Sequence, residues 1–158
     1  HCDRLNESQA AALVRAGATA VTGFAPQRAA LARADVVVTH AGLNTVLDAL
    51  EAGTPQLALP IAFDQPGVAA RIAHAGTGLK LLAPLASVAA LRRALRRLLA
   101  EPGFAERSRG LGQEITASGG VQRAADLMEA ALRAHPSSLL AARAALVHGD
   151  TARQVSHV

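Results

Sequence analysis

Runs of hydrophobic and polar positions change period along this chain, and the changes mark out elements. Residues 35–39, Asp-Val-Val-Val-Thr, form a short β-branched run, the pattern of a strand buried in a parallel sheet. A turn at His40-Ala41-Gly42 leads into a helical pattern over residues 44–52, stopped by Gly53-Thr54-Pro55. Residues 56–59 read as the next strand, 60–64 as loop and 65–75 as helix. Gly76-Thr77-Gly78 turns the chain into a strand at 79–82. Residues 88–100 are strongly helical and end at Pro102-Gly103. Helices at 104–117 and 121–134 follow, separated by Ser118-Gly119-Gly120. Upstream, Ser8 is expected to cap a short helix reaching Ala16, with Gly17 ending it. Residues 20–24 read as a strand, and 27–33 as a helix after a turn at Pro26.

Strands alternating with helices at short intervals predict an α/β domain, a Rossmann-like parallel sheet flanked by helices. Such sheets bind ligands at the carboxyl ends of their strands. The loops to watch are therefore 25–27, 40–43 and 61–65. No internal repeat is visible. The pattern places one domain over residues 1–134 and an Ala-rich tail, partly helical or disordered, over 135–158.

Composition sharpens this only in places. At 51% hydrophobic with 2% aromatic, the 158 residues can build a core, and it must be an aliphatic one. No uncharged run approaches the roughly 18 residues a bilayer span needs. The net charge of +4 fits an anionic partner, or simply solvated arginines. Without Trp or Tyr and with three Phe, the chain lacks stacking platforms for single-stranded nucleic acid, so no nucleic-acid partner is expected. Cys2 has no second cysteine to pair with, which fits a cytoplasmic setting. His1 opens the chain with no initiator Met and no signal-peptide pattern, as in a piece of a longer protein. On helix 88–100, Arg92 and Arg96, and Arg93 and Arg97, pair at i,i+4 opposite Leu91, Leu95, Leu98 and Leu99. That is a surface amphipathic helix; a peripheral contact with anionic lipid is the sharper alternative.

The chemistry concentrates around residue 40. At 100° per residue, Leu43, Val46, Leu47 and Leu50 share one arc, and Asn44, Thr45 and Asp48 gather on the other side. A helix N-terminus offers free N–H groups and partial positive charge, which suit a phosphate. His40, Asn44 and Thr45 can add donors, Gly42 permits close approach, and Asp48 can accept from a vicinal diol. Spacing alone leaves a second reading open: a strand-end histidine, a cap and a solvated acid.

The wider pattern is more specific. Phe24-Ala25-Pro26-Gln27, Thr39-His40-Ala41-Gly42-Leu43-Asn44-Thr45, Asp48, Gly53-Thr54-Pro55, Pro60 and Asp64-Gln65 occur in that order. The series resembles the donor-binding signature of family 1 UDP-glycosyltransferases. Residues 39–78 are closer still to bacterial zeaxanthin glucosyltransferases. The resemblance implies the C-terminal domain of a GT-B fold. It implies that Phe24, Ala25 and Gln27 hold the uracil and part of the ribose. His40, Gly42, Asn44 and Thr45 would contact the diphosphate, Asp48 the ribose hydroxyls, and Asp64 and Gln65 the donor sugar. Asp48 stands where the family has Glu, one methylene longer. Ala41 stands where many members have Gly or Cys, a replacement that ordinary backbone angles would permit.

The implied reaction is inverting transfer from UDP-glucose to a hydroxyl of a lipophilic acceptor, a carotenoid first, with a macrolide or a phenol as alternatives. It implies no cofactor and no metal. The general base belongs to an N-terminal acceptor domain of the same protein, so no catalytic residue is expected in these 158 residues. A sugar-nucleotide epimerase of related fold and a non-catalytic UDP-sugar-binding module are the competing classes. The implied setting is cytoplasmic, with contact at the inner face of the membrane.

Overall fold

The structure is a computed structural model that describes residues 5–134. Cys2 and the predicted tail lie outside the described residues. The chain divides after Glu114 into two compact units.

In the first unit, α1 (Glu7–Arg15) begins at Asn6, whose side chain accepts from the Gln9 amide at 2.9 Å while Gln9 Oε1 accepts from Asn6 N at 3.0 Å. This reciprocal capping box displaces Ser8 from the expected capping role; its hydroxyl donates to Asn6 Oδ1 instead. Residues 20–24 are not a strand. The Thr22 hydroxyl donates to the Phe24 carbonyl at 2.7 Å and accepts from the Phe24 amide at 3.3 Å. Both backbone groups that would join a ladder are thus used locally. Helix α2 is shorter than expected, Gln27–Leu31.

Three parallel strands follow in the order β1-β2-β3: Val37–Thr39, Gln56–Ala58 and Gly78–Lys80. Helix α3 (Leu43–Glu51) joins the first two and α4 (Gln65–His74) the second pair. Both helices end in the same way. Gly53 and Gly76 adopt φ of +72° and +65°. The following Thr54 and Thr77 amides reach back to Ala49 and Ile72 at 2.8 and 3.1 Å. These paired 6→1 and 5→2 bonds satisfy the last helical carbonyls and aim the chain straight into the next strand.

All three residues of β2 are buried, and successive side chains face opposite sides of the sheet. Leu57, fully buried, joins Leu98 of α5 (Val88–Ala100) and Phe104 of α6 (Gly103–Ala117), with Leu79, Leu81, Leu91 and Leu95 packed around them. Gln56 points to the other face and donates to Val46 O of α3 at 3.4 Å. Of the predicted leucine stripe on α5, Leu98 is buried but Leu99 is 62% exposed. On α3 the buried stripe is Val46, Ala49 and Leu50, while Leu43 and Leu47 sit at its edge. A single 3₁₀ turn, Ala83–Leu85, precedes α5. At the end of α5, Arg97 bonds Glu101 at 2.8 Å. That hydrogen bond holds the Glu101 carboxyl below its usual range and raises Arg97.

Helix α6 closes the amino-terminal edge of the sheet. Ser108 Oγ donates to Thr77 O at 3.2 Å and Arg107 Nε to Gly76 O at 2.8 Å. Gly112 lies so close to α3 that a methyl group there would sit 2.1 Å from Leu50 O. Among the described residues of this unit, a cleft opens at the opposite, carboxyl edge.

In the second unit, α7 (Gly120–Ala134) follows a turn in which Ser118 Oγ donates to Ile115 O at 2.6 Å. No helix among the described residues is long and apolar enough to cross a membrane.

Candidate functional site

The open carboxyl edge of β1 carries the site. Thr39 ends the strand with its side chain buried, and its hydroxyl accepts from the Ala41 amide at 3.2 Å. Ala41, fully buried, takes φ +68°. Left-handed backbone costs a residue with a Cβ about 1–2 kcal/mol, so the expectation of ordinary angles at this alanine is corrected. Gly42 then starts α3 with no side chain capping it. The first amides of α3 are therefore free to meet an anion. His40 is exposed, and its ring lies over Gly42: a methyl group on Gly42 would be 2.6 Å from His40 Nε2. The glycine is what lets the imidazole sit across the helix start.

A cleft of about 620 Å³ opens beside this edge, lined by Phe24, Ala25, Gln27, Thr39, His40 and Thr45 among others. Phe24 is 84% exposed. Gln27 ties the loop to the helix: Thr45 Oγ1 donates to Gln27 Oε1 at 3.2 Å, and Gln27 Nε2 donates to Asp48 Oδ2 at 2.9 Å.

The structure thus brings together Phe24, Ala25, Gln27, His40 and Thr45, with Asp48 joined through Gln27 and Gly42 beneath His40. Asn44 is exposed in the first turn of α3 and does not line the cleft. Asp64 and Gln65 lie at the carboxyl end of β2, also outside its lining. Asp64 begins α4 without a side-chain capping bond. Gln65 Oε1 accepts from the Ile61 and Ala62 amides at 2.9 and 3.0 Å, fastening the preceding loop. That loop holds Phe63 at φ +58° with its ring 95% exposed.

Sequence reasoning missed Arg28. Its Nε is 3.7 Å from Asp48 Oδ1, and its NH2 group contacts Glu51 Oε2. Only its adjacency to Gln27 hinted at this, because the meeting with α3 is tertiary. Among the described residues, no group of three His, Cys, Asp or Glu is placed to hold a metal ion.

A parallel sheet with an uncapped helix start, donors at the strand end and a carboxylate one turn further in is the arrangement with which α/β domains hold nucleotides. Residues 5–131 match the family described as the C-terminal domain of erythromycin biosynthesis protein CIII-like proteins. The chain is 46% identical over 129 residues to the zeaxanthin glucosyltransferase of Pantoea ananas, covering 82% of this chain and 30% of that protein. The solved structure of the glycotransferase of kitacinnamycin matches with a TM-score of 0.66 and 38% identity, over 70% of this chain and 29% of that one. The glycosyltransferase VinC in complex with dTDP matches at 0.61 and 32%, over 68% and 28%. The chain belongs to this family of C-terminal domains, within the GT-B family 1 glycosyltransferases. It spans about 30% of the length of the relatives it matches.

Proposed function

We propose that this chain is the donor-binding part of an inverting glucosyltransferase that moves glucose from UDP-glucose to a hydroxyl of a lipophilic acceptor. The observation that carries the reading is the convergence of Phe24, Gln27, His40 and Thr45 on one cleft beside the uncapped start of α3. The base loop 24–27 takes the uracil. The amides of α3, with His40, Asn44 and Thr45, take the diphosphate. Asp48 takes the ribose, and Asp64 and the amide N–H groups of Gln65 take the sugar hydroxyls.

In the reaction the acceptor oxygen attacks C1, the C1–O bond to UDP breaks, and negative charge grows on the leaving diphosphate. The helix start and His40 face that charge and stabilise it without a cofactor. The acceptor's proton goes to a base on an N-terminal domain of the same protein. Similarity to a zeaxanthin glucosyltransferase favours a carotenoid acceptor, ahead of a macrolide or a phenol. Exposed Arg92, Arg93 and Arg96 on α5 support a cytoplasmic protein resting on an anionic membrane surface, where such an acceptor resides.

The test is transfer from UDP-glucose to zeaxanthin in detergent. These residues joined to their natural upstream half should form the β-glucoside, and the 158 residues alone should not. Orientation of the acceptor supplies roughly 7–11 kcal/mol of barrier lowering, and a general base a further factor of about 10²–10⁴ in rate. Efficient transfer by the 158 residues would place a base within them and sink this division of labour.

A further inference from the structure

We propose that Arg28 is a positioning residue that turns the Asp48 carboxylate toward the ribose and so sets a preference for ribonucleotide over 2′-deoxyribonucleotide donors. The inference rests on the donor-binding reading above.

Asp48 is partly buried, with 24% of its side chain exposed. Its two oxygens face two consecutive residues of α2: Oδ2 accepts from Gln27 Nε2 at 2.9 Å, and Oδ1 faces Arg28 Nε at 3.7 Å. The guanidinium is itself held from the far side by Glu51, almost one turn along α3. Arg28 therefore lies between two carboxylates of one helix face. A terminal carboxylate torsion is broad and nearly two-fold. Gln27 alone fixes one oxygen and leaves the plane of the group free to turn. The Arg28 charge, 3.7 Å from the second oxygen, biases the plane.

The helix that delivers both partners is anchored. Leu31, at the other end of α2, is buried, and its carbonyl accepts from the buried Thr54 hydroxyl at 2.8 Å. Thr54 immediately precedes Pro55 and β2, so α2 is fastened to the sheet. Gln27 and Arg28 thus meet Asp48 from a fixed platform.

A carboxylate has about four acceptor directions. Gln27 takes one on Oδ2, while Arg28 attracts Oδ1 by charge from 3.7 Å without a hydrogen bond. At least one direction per oxygen remains, which is what a vicinal diol uses. Asp48 also has a shorter reach than glutamate. Orientation by Arg28, rather than length, then decides whether a ribose 2′-hydroxyl is met. Sites built to hydrogen-bond a hydroxyl reject the analogue that lacks it. The choice is a real one among relatives, since the VinC structure holds dTDP, a deoxyribonucleotide.

The experiment is calorimetric titration of the chain with UDP and with 2′-deoxy-UDP, for the unmodified protein, Arg28→Ala and Arg28→Lys, alongside thermal melts. The unmodified chain should prefer UDP by about tenfold, the size of one hydrogen bond to a charged group. Arg28→Ala should cut that preference to about twofold by weakening UDP while leaving 2′-deoxy-UDP nearly unchanged. Arg28→Lys should restore part of it, because an ammonium returns the charge but not the planar fork. Melting should hardly move in either variant, because ion pairs of an exposed arginine contribute little to stability. A full preference retained by Arg28→Ala overturns the inference and leaves the donor reading standing, as does an unmodified chain that binds both nucleotides equally. An unmodified chain that binds neither overturns the donor reading and this inference together.

Discussion

On the proposed reading Gln65 carries two duties, and substitutions can separate them. Its carbonyl oxygen is committed to the Ile61 and Ala62 amides, so only its N–H groups remain to donate to a sugar hydroxyl. Gln65→Glu keeps the acceptor and removes the donors; Gln65→Ala removes both. If loop fastening is its main work, the glutamate variant should keep most discrimination between UDP-glucose and UDP-galactose while the alanine variant loses it, each lost bond being worth about 0.5–1.5 kcal/mol. Competition titrations with the two sugar nucleotides read this out. Equal loss in both variants would assign Gln65 to the sugar itself. Residue types were legible in the sequence because the motif is made of them. Their partners were not. The clasp of Thr45, Gln27, Asp48 and Arg28 joins residues that are neighbours only once α2 lies beside α3, and the φ of +68° at Ala41 leaves no mark in composition.

At the scale of elements, the alternation of period fixed what mattered most. The Asp-Val-Val-Val-Thr run, the polar start of α3 and the glycines closing α3 and α4 are local signals, and the structure follows them. Residues 20–24 look like a strand, since apolar and Thr residues suit one, but the Thr22 hydroxyl satisfies the Phe24 backbone first. The amphipathic stripes were readable only to within one residue in each turn, which is why Leu99 and Leu47 fell on the wrong side. Helix α6 adds a constraint that no pattern announces. Gly112 touches the backbone of Leu50, and α3 begins at the His40 loop. Gly112→Ala should lower stability by about 1–3 kcal/mol, as overpacking does, while Gly110→Ala, where a methyl group meets nothing within 4 Å, should raise stability slightly through helix propensity. Urea melts of the two variants check this; equal stabilities would mean that α6 can slide away from α3.

For the molecule as a whole, the arrangement divides the sheet into a supported edge and a working edge. Helix α6 braces the turn that enters β3 through Ser108 and Arg107. The carboxyl edge is left with His40, the base loop, the α3 start and the Asp64 loop. This is the polarity an α/β sheet needs to hold a nucleotide. On the proposed reading, the base loop, the ribose carboxylate, the diphosphate donors and the sugar loop supply one partner for each group of a UDP-sugar. The central claim is that this edge reads a uridine diphosphate, and calorimetric titration of the chain with UDP, GDP and ADP tests it most directly. The account predicts measurable UDP binding with GDP and ADP at least about tenfold weaker, a difference of roughly 1.4 kcal/mol. Equal affinity for the three nucleotides, or none for UDP, would contradict it.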